Sequence, residues 1–99
     1  MQYSERDDAW GHVTRPREGQ EPYIRITLPD GTTADGQARA WTQDKVYALW
    51  VTGHAFEDRH LAWMDATDVK RIHRSESNWT DPYDDSAFHY PDLPRDSWA

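Results

Sequence analysis

The chain is predicted to fold as a small, mainly β domain: about five antiparallel strands rolled into a barrel over residues 22–74. A polar, mobile arm (1–21) precedes it and an acidic, aromatic and Pro-rich tail (75–99) follows. Three observations carry that expectation. Tyr23–Leu28 alternates apolar and polar side chains with period two, and a Pro-Asp-Gly turn follows it directly. Val46–Val51 is a continuous apolar run of strand length. Hydrophobic residues make up 36 % of the 99, yet six are Trp, so a short folded centre with solvated ends suits the composition better than an even spread.

Taken in order, residues 1–21 show no apolar periodicity, being broken by Gly11, Pro16, Gly19 and five acids. In the first strand Ile24, Ile26 and Leu28 share one face, while Tyr23, Arg25 and Thr27 share the other. Pro29-Asp30-Gly31-Thr32 is a hairpin turn, since Pro presets φ and Gly supplies a positive one. A second strand is expected from about Thr33 to Thr42, with Gly36, Ala38 and Ala40 on the core parity and Asp35, Gln37, Arg39 and Trp41 outward. Gly36 permits a kink or a close backbone approach. Gln43-Asp44-Lys45 turns the chain into Val46–Val51, the expected central strand, and Thr52–Arg59 forms a polar loop. His60–Met64 is the fourth strand, with Leu61 and Trp63 on one face. Asp65-Ala66-Thr67-Asp68 makes a single tight helical turn, and Val69–Ile72 closes the domain.

The last of these segments, Leu61-Ala62-Trp63-Met64-Asp65-Ala66-Thr67-Asp68-Val69-Lys70-Arg71-Ile72, resembles the closing segment of SH3 domains. There a Trp-containing stretch leads through a one-turn 3₁₀ helix into a final strand beginning with Val, as Trp63 and Val69 do here. Met64-Asp65 stands where that family has a hydrophobic-Pro pair, and the family's Ala-Leu-Tyr-Asp-Tyr signature is absent. Ile24-x-Ile26-x-Leu28-x-Asp30-Gly31, followed by Gly36 and Trp41, is similar to the first motif of Sm-like proteins, whose SH3-like barrels form rings that bind RNA. The Asp-x-hydrophobic-Met-Asn element of that motif does not follow Trp41. Both likenesses imply an SH3-like barrel, a shape that hosts many functions.

Charge is distributed unevenly along the chain. The net charge of −7 arises as −2 over residues 1–21, zero over 22–74 and −5 over 75–99. A neutral centre lacks the basic footprint of a duplex-binding protein, so duplex nucleic acid is not an expected partner. No apolar run reaches the ~18 residues of a membrane span, and the N-terminus is unlike a secretory signal. The chain has no Cys, hence no disulfide, thiolate metal site or Cys nucleophile. A cytoplasmic protein is the expectation. The preference for Arg over Lys is a feature of GC-rich genomes, so a bacterial or phage source is expected.

The chemistry-bearing residues of the sequence do not form a catalytic or metal-binding pattern. His54, Glu57, Asp58 and His60 crowd one loop, but a polar loop supplies neither fixed geometry nor an oriented second layer of ligands, and no metal or other cofactor is expected. Ser4, Ser75, Ser77, Ser86 and Ser97 all lie in the tails, away from any rigid scaffold. No glycine-rich phosphate loop is present. No catalytic residues are assigned, and the chain is expected to be no enzyme.

Aromatic residues are the remaining candidates. Tyr23, Trp41 and Tyr47 fall on the parity opposite the expected core residues Ile24, Ala40 and Val46, beside Arg25 and Arg39. In the tail, Trp79, Tyr83, Phe88 and Tyr90 are interleaved with acids and Pro. The expected role is a non-enzymatic binding or adaptor module that uses these rings to contact a protein partner or a second copy. Coverage of these rings by the chain's own tail is the competing expectation. Two alternatives stay open: a nucleic-acid-associated Sm-like barrel, in which Arg beside a ring holds a single strand, and an acidic mimic that occupies a DNA-binding protein.

Overall fold

The computed structural model describes residues 13–52, 58–85 and 98. Five strands form a single antiparallel sheet: β1 (Tyr23–Thr27), β2 (Thr33–Trp41), β3 (Lys45–Val51), β4 (Arg59–Asp65) and β5 (Val69–Arg71). Their order across the sheet is β4-β3-β2-β1-β5. Single 3₁₀ turns occupy Ala66–Asp68, between β4 and β5, and Arg74–Glu76, after β5. Among the described residues no ladder joins β4 to β5, so the sheet is not closed into a barrel.

Each turn takes the form its residues dictate. At the β1–β2 hairpin Gly31 has φ +85°, and its N–H donates to the Leu28 carbonyl at 2.9 Å. Asp30 accepts from the Thr32 N–H and hydroxyl at 3.0 and 2.6 Å, which holds its carboxyl below the usual range. At the β2–β3 turn the Thr42 hydroxyl accepts from the N–H groups of Asp44 and Lys45 at 3.2 and 3.0 Å. Gly36 lies where another backbone comes close, because a Cβ there would stand 1.8 Å from the Leu49 carbonyl oxygen.

The core face carries Ile24, Ile26, Ala38, Trp41, Val46, Ala48, Ala66 and Val69, closed by Trp98, with Leu28, Trp50 and Met64 packed at its margin. Trp41 on this face corrects the expectation that it points outward. Ala38 pairs with Ala48 and Ala40 with Tyr47, so Arg39 has no residue opposite it. That β-bulge reverses the in–out alternation, and Trp41 arrives opposite Val46 inside the core. A sequence with strict period two gives no warning of such an insertion.

On the other face, burial extends over β1 and β2 and reaches Leu49 of β3. Pro22 accepts from the Ala38 N–H at 2.9 Å, and Thr14 and Trp41 exchange two backbone hydrogen bonds at 2.8 and 3.0 Å. Residues 13–22 thus run along β2, and their Gly19 carbonyl accepts from the Asp85 N–H at 2.7 Å. Tyr23, Gln37, Ala40 and Leu49 are buried on this side.

Candidate interaction surface

The sheet presents two kinds of aromatic surface, one at its β1–β5 end and one at β3–β4. At β1 the segment after β5 folds back over Tyr23. The Tyr23 hydroxyl donates to Asp84 Oδ2 and accepts from the Asp81 N–H at 2.9 Å, while the Trp79 ring sits 6.2 Å from its own. Arg74 Nε donates to the same Asp84 oxygen at 2.7 Å. Burial works to raise the Asp84 carboxyl, but the Arg74 and Tyr23 bonds outweigh it and hold it below its ordinary value. Burial and then the Asp84 bond push the Tyr23 phenol up.

A second clamp lies beside it. Arg25 grips Asp35 through two bonds, Nε to Oδ1 at 2.8 Å and Nη2 to Oδ2 at 3.2 Å. The same guanidinium donates to the Glu76 carbonyl at 3.0 Å, and the Asn78 N–H donates to Asp35 at 2.8 Å. The Arg25 bond is the main reason that Asp35 titrates below the normal carboxylate range. A bidentate, charge-assisted pair of this kind ties residues 76–78 of the tail to β1 and β2.

At the far end of the core Trp98 packs 5.4 Å from Trp41, and its indole N–H donates to the Val69 carbonyl at 3.2 Å. The Arg71 guanidinium lies 4.4 Å from the Trp98 ring centre and 5.1 Å from that of Trp41. A cation buried between two indoles is held by their negative faces.

These contacts decide where the sequence-predicted residues stand. Tyr23 and Trp41 are buried, Trp79 is half-buried against Tyr23, and Tyr83 is 88 % exposed. Arg25 is engaged with Asp35, and Arg39 meets the buried Glu21 at 3.3 Å. Phe88 and Tyr90 lie outside the described residues, as do His54 and Glu57 of the loop considered for metal binding. The patch of Tyr23, Trp41 and Tyr47 expected on one open face is therefore not formed: the chain covers the first two and leaves Tyr47.

Tyr47 belongs to the second surface. It pairs with Trp63 across β3 and β4, ring centres 5.1 Å apart, on the face that also carries Leu49 and Leu61. Leu61 is 53 % exposed. On the opposite face Trp50 stacks on His60 at 5.2 Å. Sequence reasoning missed Leu61 as a contact residue. The only signal was its shared parity with Trp63, which does not say that β4 lies at the rim of the sheet.

Among the described residues no group of three or more His, Asp or Glu is arranged to hold a metal ion, and no helix is long and apolar enough to cross a membrane. No protein-family model, curated protein or solved structure matches this chain.

Proposed function

We propose that the chain is a non-enzymatic protein–protein interaction module built on an SH3-like barrel, working in the cytoplasm. Its contact surface in this reading is the strip Tyr47–Trp63–Leu61 along β4. The strand order and the one-turn 3₁₀ segment linking β4 to β5 support the barrel. The observation that carries the function is Leu61: a large aliphatic side chain, more than half exposed, beside two half-buried rings on a strand at the sheet's rim. Rings flanking an exposed aliphatic supply contact area at low entropic cost. Arg25 and Arg39 are each engaged with a carboxylate, which favours a protein partner over a single-stranded nucleic acid.

The test is a photo-cross-linking amino acid placed at position 61, and at exposed position 33 as a control, in cells expressing the full chain. Protein adducts are expected from position 61 and not from position 33. Absence of adducts at 61, or equal yields at both, overturns the assignment.

A further inference from the structure

We infer that β4 is self-complementary and that its partner is β4 of a second copy, joined antiparallel about Ala62. The inference rests on β4 being the contact strand and names what it contacts. Among the described residues β4 pairs with β3 alone, so it ends the sheet.

The ladder fixes which backbone groups point outward. Thr52 donates to Asp58, and Ala66 donates to Asp44, at the two ends of the β3–β4 register. Bonded pairs alternate along an antiparallel ladder. His60, Ala62 and Met64 therefore bond toward β3, and Arg59, Leu61, Trp63 and Asp65 turn their N–H and C=O groups away from it. An antiparallel copy centred on Ala62 places Arg59 opposite Asp65, Leu61 opposite Trp63, and each of these opposite its counterpart again by symmetry. Every one of those pairs joins residues whose backbone groups face the second copy. The closest registers that also match those groups, shifted by one residue about the axis, put Leu61 on Leu61 or Trp63 on Trp63 and lose the charge pairing. Ala62, small and on the axis, faces its own copy.

The side chains agree with the backbone. Asp65 is exposed and gives one carboxylate oxygen to Lys45 of its own chain, while Arg59 is exposed at the other end of the strand. Leu61 and Trp63 of both copies, with the two Tyr47 rings behind them, form one continuous apolar strip across the axis. Opposite charges at both ends stabilise cross-strand contacts, and the Leu61–Trp63 pairs between them remove apolar surface from water. The isologous interface closes at two subunits. A net charge of −7 per chain opposes association, so moderate salt, with a Debye length of about 8 Å, is the condition to use.

Sedimentation of the purified full chain from micromolar to millimolar concentration should show a monomer–dimer equilibrium. Arg59→Asp alone and Asp65→Arg alone should each weaken it by about tenfold or more, since both ends then carry like charges. An equimolar mixture of the two variants should associate again, because each copy supplies the charge the other needs. Ala62→Cys, in a chain without other cysteines, should form a disulfide dimer under mild oxidation, the axial Cα atoms being about 4.5 Å apart. Lys70→Cys on β5 should not. A wild-type chain monomeric throughout, or a variant mixture no better than its components, overturns the inference. A monomer that still gives adducts to another protein from position 61 sinks this inference and leaves the proposed function standing.

Discussion

The β1 end of the sheet and the β4 end receive opposite treatment from the same chain. At β1, residues 74–85 bring the Asp84 carboxylate, the Arg74 guanidinium and the Trp79 indole to Tyr23 and the Glu76 carbonyl and Asn78 N–H to the Arg25–Asp35 pair, while Trp98 and Arg71 close the core around Trp41. At β4, Tyr47 and Trp63 pack on one another and Leu61 is left more than half exposed. The aromatic content that reads as one binding surface in the sequence thus divides into an internal clamp and an external strip. Substitutions in the two regions should therefore differ in kind. Those at the clamp change stability, and those at the strip change association.

The largest effect is expected at Trp41. Truncation to Ala removes an indole that is 5 % exposed and takes away the surface on which Arg71 and Trp98 rest. Loss of a buried Trp costs about 3–5 kcal/mol. That is a large part of the stability of a chain this size, so thermal melting should move down by many degrees. Trp63→Ala, at a half-buried ring, should cost clearly less in the same assay. Equal losses would erase the distinction between clamp and strip.

Next in size is Tyr23→Phe. It deletes one hydroxyl and with it the bonds to Asp84 and from the Asp81 N–H. Hydrogen bonds to a charged group contribute about 1.5–3 kcal/mol. Amide exchange should accelerate at residues 78–85 and stay unchanged in β3 and β4. Uniform acceleration would mean that the tail and the sheet open as one unit.

Acid should separate the regions further. Asp35 and Asp84 both titrate below their ordinary range in the fold. Their contribution is complete above the unfolded carboxylate value of about 3.9 and is lost as pH falls through the lower folded values. Melting temperature should be flat from pH 7 to about 5, then drop below about 4, with protection over residues 78–85 lost first. Tyr23, raised by burial and Asp84, adds a second loss only above about pH 10, as its folded value is approached. Asp35→Asn should lower stability at neutral pH and flatten the acid limb. An unchanged limb in that variant would remove Asp35 from the clamp.

Much of this architecture was legible in the sequence, and the rest was hidden for physical reasons. The Ile24–Leu28 alternation, the Pro-Asp-Gly turn and the 3₁₀ turn before Val69 are local, and each took the form its residues dictate. The Arg39 bulge was not legible. A strand that inserts one residue keeps its composition and changes only its parity, and Gly36 was the more obvious place for an irregularity. Arg71 shares the parity of Val69 on β5, but nothing local shows that a guanidinium is buried there, because its burial depends on Trp98, far along the chain. The prominence of Leu61 follows from strand order, a long-range property that the pattern His60–Met64 shares equally with a central strand.

The smallest effect on stability, and the most discriminating, is expected at Leu61. Full burial of a Leu side chain contributes about 1.5–3 kcal/mol, and this one is already more than half exposed. Leu61→Ser should therefore cost the monomer less than about 1 kcal/mol, a small shift in the melting curve. The same change removes the aliphatic centre of the strip and should abolish cross-linking from a probe at neighbouring position 59 as well as the dimer in sedimentation. A stable monomer without its contacts is the outcome that an external strip requires. If Leu61→Ser instead lowers stability as far as Trp41→Ala does, Leu61 supports the fold, and β4 is part of the same internal clamp as β1.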